Sequence, residues 1–158
     1  SIDFGAVSLP LTNYETIDVL EVMEIQDCFV ASFHFANLYS REISIKELAK
    51  YPIIMLEKNT STRHYIDDYL SRHSVLLTPE FELATSDLIV QFACRGLGIS
   101  CVVRNFAEES IENGKLFEIV LEEKIPPRHI GIIKLHNVPL TAAAKKLMEL
   151  IENKTVTS

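Results

Sequence analysis

The stretch from Glu82 to Ser100, ELATSDLIVQFACRGLGIS, limits the possible folds more than any other part of the chain. It opens on a short extended run and reaches the hydroxyl pair Thr85-Ser86. It then carries Leu88, Ile89, Phe92 and Ala93 at helical spacing, an apolar face broad enough to lie flat against a sheet. Gly96 stops that helix, because glycine takes the left-handed conformation that closes a C-terminus, with Leu97 as the accompanying apolar contact. The β-branched run Ile99 to Val103 follows at once as a strand. A strand, helix, strand succession of this kind belongs to an α/β fold.

The same rhythm runs through the rest of the chain. Strands are expected at Asp3 to Ser8, Val19 to Ile25, Cys28 to Phe33, Ile53 to Leu56, Glu80 to Ala84, Ile99 to Val103, Leu116 to Val120 and Ile130 to Leu135. A helix is expected from Thr62 to His73, with Ile66, Tyr69 and Leu70 as its apolar stripe and Asp67, Asp68 and Arg72 on the other face. Another follows Pro139, capped by Thr141 and running through Ala144, Leu147, Leu150 and Ile151. Shorter helical pieces fit Ser44 to Lys50 and Phe106 to Asn113, the latter closed by Gly114.

Two helix starts are crowded with hydroxyls. Asn59-Thr60-Ser61-Thr62 precedes the first helix and Thr85-Ser86 the second. A helix N-terminus presents unpaired N–H groups and the positive end of the macrodipole, so hydroxyls beside it complete an anion-binding nest. In open α/β sheets ligands bind beyond the carboxyl ends of strands, where these starts must lie. The plainer reading is that Thr62 and Ser86 are N-caps worth about 1 kcal/mol each. Arg63, a cation in a first turn, opposes the dipole; it is either part of the nest or paired with Asp67 four residues on.

Other chemistry is hard to find. The 158 residues carry a formal charge of −7, unsuited to neutralising nucleic-acid phosphates. His34, His64, His73, His129 and His136 show no metal-ligand spacing, so neither metal nor cofactor is expected. Gly96-Leu97-Gly98 follows a helix instead of opening one, so it is no phosphate loop. Ser100 lacks the closing glycine of a nucleophile elbow. Cys28, Cys94 and Cys101 are odd in number and without CxxC spacing, which fits buried thiols in a reducing cytoplasm. No leader and no run of roughly 20 apolar residues suggests export or a membrane span. A catalyst using Cys94 or Cys101 is the remaining enzymatic alternative.

Taken in order, these segments resemble the effector-binding domain of LysR-type transcriptional regulators. Glu82 to Ser100 carries the likeness most clearly. Asp3 to Val7, Cys28 to Ser32, Ser44 to Leu56, Thr60 to Arg63, Gly114 to Leu116 and Ile130 to Leu135 fall in the matching places, while Val103 stands where many relatives have proline. The resemblance implies an α/β, two-lobed fold like type 2 periplasmic binding proteins, with the first lobe incomplete. Residues 1–32 and 135–158, the latter with the C-terminal helix, would form lobe 1, and residues 33–134 lobe 2. It implies a regulator and no enzyme, sensing a small polar or anionic effector such as an organic acid, amino acid or inorganic anion in the interlobe cleft. Ser8, Leu9, Ser32, Phe33, Thr60, Ser61, Thr62, Thr85 and Ser86 would line that cleft. Homo-oligomerisation and DNA contact through a helix-turn-helix domain absent from this chain are further expectations. A free-standing solute-binding protein of the same fold is the alternative.

Overall fold

The computed structural model describes residues 4–8 and 17–135, with side chains from 23 to 131. The expected helix after Pro139, and Leu9, lie outside the described residues. In chain order the elements are β1 (Phe4–Ser8), β2 (Ile17–Ile25), β3 (Asp27–Ala31), a 3-10 helix (Phe33–Leu38), β4 (Glu42–Ile43), a second 3-10 helix (Ile45–Lys50) and β5 (Ile53–Leu56). There follow α1 (Ser61–Arg72), β6 (Phe81–Leu83), α2 (Ser86–Cys94), β7 (Ile99–Val103), α3 (Arg104–Glu112), β8 (Phe117–Glu118), β9 (Val120–Leu121) and β10 (Arg128–Leu135).

The chain divides into two units, Ser1–Ile25 with Pro127–Ser158, and Gln26–Pro126. The limits drawn from the sequence, at Phe33 and Lys134, therefore shift. β3 hydrogen-bonds to β7 and β8 of the second unit, while β10 hydrogen-bonds to β1 and β2 of the first. The first unit contains an antiparallel sheet of order β1-β10-β2, with a register irregularity between Ile132 and Ile133.

The second unit is built on a five-stranded sheet of order β6-β5-β7-β3-β8. β5, β6 and β7 are mutually parallel because a helix crosses over between each consecutive pair, whereas β3 and its neighbours run antiparallel. Period-two alternation splits the strand residues between two faces. Phe29, Ala31, Ile53, Met55, Ile99 and Cys101 pack with Ile66, Tyr69 and Leu70 of α1. Cys28, Val30, Ile54, Leu56 and Val102 pack with Ile89 and Ala93 of α2 and Ala107 of α3. These strands are buried on both faces, which is why they read as continuous apolar runs. Each fully buried Ile or Leu contributes on the order of 1.5–3 kcal/mol relative to exposure.

Ends differ from the sequence reading in instructive ways. Ser32 is an N-cap, its Oγ accepting from the His34 N–H at 3.2 Å, so β3 stops at Ala31 and Phe33 opens a 3-10 turn. The run Leu116 to Val120 breaks into β8 and β9, and β9 leaves the main sheet to pair in parallel with β4. α3 starts two residues before the expected Phe106, directly after β7, with Val103 as a cap that has no side-chain hydrogen bond. Gly96 has φ +75°, the left-handed closure expected of it.

Candidate ligand site

Adjacent parallel strands β5 and β6 stand in register Ile54 to Phe81, Met55 to Glu82 and Leu56 to Leu83. Their carboxyl ends are thus level, one strand spacing or ~5 Å apart. The ladder extends one step further, the Glu57 N–H donating to the Leu83 carbonyl at 3.0 Å. From that edge one strand climbs through Thr60 into α1 and the other through Thr85 into α2. The two hydroxyl-bearing helix starts are therefore brought to the same sheet edge.

Their caps are one or two residues earlier than the sequence suggests. Thr60 and Thr85, both in extended conformation, accept from the N–H groups of Arg63 and Leu88 at 3.2 and 3.3 Å, respectively. A side chain reaches the N–H three residues on only from extended backbone, so Thr62 and Ser86, already helical, cannot act as caps. Thr60 also donates from Oγ1 to the Glu57 carbonyl at 2.9 Å. The capping hydroxyls are thus committed to their own helices. Ser61 is exposed and Thr62 and Ser86 are half-buried, all in first turns where N–H groups lack intrahelical partners. Asp87 in the first turn of α2 already opposes the positive helix end, which tilts that start toward a polar or hydroxylated partner over a strongly anionic one.

Arg63 does not reach into solvent. Its side chain is 5% exposed and donates from Nε to Asp67 Oδ1 at 3.1 Å, and from Nη1 to the Leu56 carbonyl at 3.0 Å and to Glu82 Oε2 at 2.5 Å. Burial alone would lower its pKa, but the hydrogen bonds and charges of Glu82 and Asp67 outweigh that and raise it above the ordinary value. The Asp67 pairing is as the spacing allows; the Glu82 partner, nineteen positions on, had no local signal.

Ser32 and Phe33 are not brought to this edge. β3 runs antiparallel to β7, pairing Asp27 with Val103 and Val30 with Ser100, while β5 runs parallel to β7, pairing Ile53 with Ile99. The carboxyl end of β3 therefore lies beside the amino ends of β5 and β7, across the sheet from Thr60 and Thr85. There the Phe33 ring packs at 5.1 Å from both Tyr39 and Phe117. Ser8 ends β1 in the other unit. A residue that sequence reading missed is Arg104. It begins α3 at the same edge as the other two starts, donates its N–H to the Gln26 carbonyl at 2.8 Å, and pairs through Nε with Glu118 Oε1 at 2.9 Å. The chain enters and leaves the unit here too, since Gln26 Nε2 donates to the Ile125 carbonyl at 2.8 Å. A helix boundary drawn at Phe106 hid that position.

A hollow of about 640 Å³ lies on the flank of α1 in the second unit and includes Lys58, Arg63, Asp67, Leu76 and Glu82 but none of the helix-start hydroxyls. Arg63, Asp67 and Glu82 pair with one another there. A smaller one of about 290 Å³ is lined by Asp27, Arg104, Glu118 and Lys124 at the edge where the chain enters. No cluster of His, Cys, Asp and Glu among the described residues could hold a metal ion. No described helix is long and apolar enough to cross a membrane. Cys101 is buried and Cys94 half-buried beside Ser110 Oγ at 3.6 Å, and burial raises the Cys28 pKa, so Cys28 does not resemble an activated thiolate.

Helices on both faces of a mixed sheet, with helix starts gathered at one strand edge, define an α/β domain with a periplasmic-binding-protein-like fold. Such a fold is shared with the Synechocystis PCC6803 CcmR regulatory domain solved with 2-PG, at TM-score 0.71 and 21% identity over 97% of this chain and 73% of that one. It is shared too with the effector-binding domain of QuiR solved with shikimate, at TM-score 0.70 and 16% identity over 98% of this chain and 72% of that one. The chain belongs to the LysR substrate binding domain family, whose model matches residues 1–155. Over 120 residues it is 32% identical to the HTH-type transcriptional regulator YeiE of Escherichia coli K12, covering 76% of this chain and 40% of that protein. It is 26% identical over 150 residues to the transcriptional activator CmpR of Synechocystis, covering 94% of this chain and 49% of that protein. The chain thus spans less than half the length of these relatives, which are named as transcriptional regulators.

Proposed function

We propose that the chain is the ligand-sensing part of a LysR-type transcription factor, and that it holds a small polar or anionic effector at the shared edge of β5 and β6. Ser61, Thr62 and Ser86 supply the contacts, through hydroxyls and first-turn N–H groups, while Thr60 and Thr85 hold the two helix starts as caps. The observation that carries this reading is the level register of β5 and β6, which sets two hydroxyl-bearing helix starts side by side. Two neighbours of the same fold were solved with 2-PG and with shikimate, the latter a polyhydroxylated carboxylate suited to several hydroxyl and N–H donors. DNA contact belongs to a helix-turn-helix domain outside this chain, in keeping with the relatives' description as HTH-type regulators, and the whole regulator assembles as a homo-oligomer. Ligand binding acts on DNA by shifting the population of domain arrangements.

The roles of cap and contact separate experimentally. Ser61→Ala and Ser86→Ala remove hydroxyls that cap nothing, so the melting temperature stays within about 1 °C while affinity for a bound probe falls about tenfold, the worth of one hydrogen bond to a charged group. Shikimate, inorganic phosphate and sulfate are the probes, titrated calorimetrically into the full-length regulator. Equal loss of stability and affinity, or unchanged affinity in both variants, refutes the assignment.

A further inference from the structure

Arg63 occupies a place that helix stability does not explain. A cation in the first turn of α1 opposes the macrodipole, and a guanidinium that is 5% exposed has surrendered nearly all its hydration. Its hydrogen bonds account for the position. One stays on α1, to Asp67; one goes to the carbonyl of Leu56, the last residue of β5; one crosses to Glu82, three residues before the α2 cap Thr85. Glu82 stands inside β6, opposite Met55 and one residue before the Leu83 carbonyl that accepts from the Glu57 N–H, so this ion pair fastens the start of α1 to the end of β6, from which the chain runs through Thr85 into α2. We infer that Arg63 is the positioning residue of the candidate site, tying the start of α1 to the end of β6 through Glu82, three residues short of the α2 cap, so that the two hydroxyl-bearing turns keep one spacing. This rests on the ligand-site reading above for its functional meaning, but the tie itself can be measured without a ligand.

The chemistry suits arginine specifically. A planar fork can point Nε along its own helix and Nη1 across to the neighbouring strand β6 at the same time, which the single nitrogen of lysine cannot. Two carboxylates compensate the charge, and both are partly exposed, so the tie is anchored on a buried cation and adjustable at its outer ends.

Amide hydrogen exchange on the whole chain tests it with two variants. Glu82→Gln changes a partly exposed side chain on β6, and Arg63→Lys keeps the charge while removing the fork. In both, the amides at positions 63 and 64 of α1 and those of Leu88 and Ile89 of α2 exchange about tenfold faster, while those of β3 and β7 are unchanged. Acceleration confined to the substituted element overturns the inference, as does equal acceleration in β3 and β7, which marks a general loss of stability. Titration of wild type and Glu82→Gln with shikimate and inorganic phosphate forms a separate arm. If wild type binds either probe, Glu82→Gln weakens that binding at least fivefold while the core amides stay protected. If wild type binds neither, the ligand-site reading fails and the exchange result alone decides the tie.

Discussion

Ser100 lies in the middle of β7, paired with Val30 of β3 and Ile54 of β5, and is 0% exposed. By the alternation of the strand it shares the face of Val102, beneath Ile89 and Ala93 of α2. Its hydroxyl has no hydrogen-bond partner among the described residues. Ser100→Ala therefore forfeits no hydrogen bond. Removing a buried unsatisfied hydroxyl relieves about 1–2 kcal/mol of desolvation. Against this stands the void left by one oxygen, on the order of 10 Å³, which at roughly 24 cal/mol per Å³ costs about 0.3 kcal/mol. The net is a stabilisation of about 1 kcal/mol, or ~2–4 °C in melting temperature for a chain of this size. Calorimetric melts, with urea titrations showing an unchanged slope, measure it. A melting temperature lowered by 2 °C or more would show that the hydroxyl is bonded in solution, and the packing described for β7 and α2 would be in error.

Other consequences follow from the same packing. A Cβ on Gly98 would stand 2.9 Å from the Pro52 carbonyl oxygen and 3.1 Å from Ile54 Cγ1, so Gly98→Ala forces β5 and β7 apart; a loss of about 1–3 kcal/mol in denaturant melts is expected. Tyr69 is buried on α1 and donates to the Glu123 carbonyl, and burial, assisted by Glu123, pushes its pKa up from near 10 to about 12. A raised folded-state pKa gives stability that is complete below pH 10 and lost as pH rises toward 12, so urea midpoints should fall across that window. Tyr69→Phe is less stable at neutral pH by about 1 kcal/mol and loses this part of the alkaline slope; an identical slope in the variant would refute the assignment.

Much of the second unit was legible because its signals are local and repeated. The stripe Ile66, Tyr69 and Leu70 and the strands Ile53 to Leu56 and Ile99 to Val103 follow from spacing alone, and the stop at Gly96 from the conformational freedom of glycine. What escaped was set by partners distant in sequence. The direction of β3 is decided by pairing with β7 and β8, so the sequence could not show that Ser32 and Phe33 end at the opposite edge from Thr60 and Thr85. The Glu82 carboxylate beside Arg63 is likewise a product of the register between β5 and β6. The helices start earlier than spacing suggests, with Thr60 and not Thr62 as the α1 cap and α3 beginning at Arg104 and not Phe106, because hydroxyl-rich or uncapped starts carry no unique punctuation.

The central claim is that the β5 and β6 edge is where a ligand is held, and backbone chemical-shift mapping tests it most directly. Shikimate, inorganic phosphate and sulfate are titrated into the isotopically labelled protein. The account predicts saturable shifts that are largest at the amides of Ser61, Thr62, Ser86 and Asp87. Saturable shifts centred instead on Ser32 to Tyr39, or on the α1 flank at Ser74 to Thr78, would contradict it.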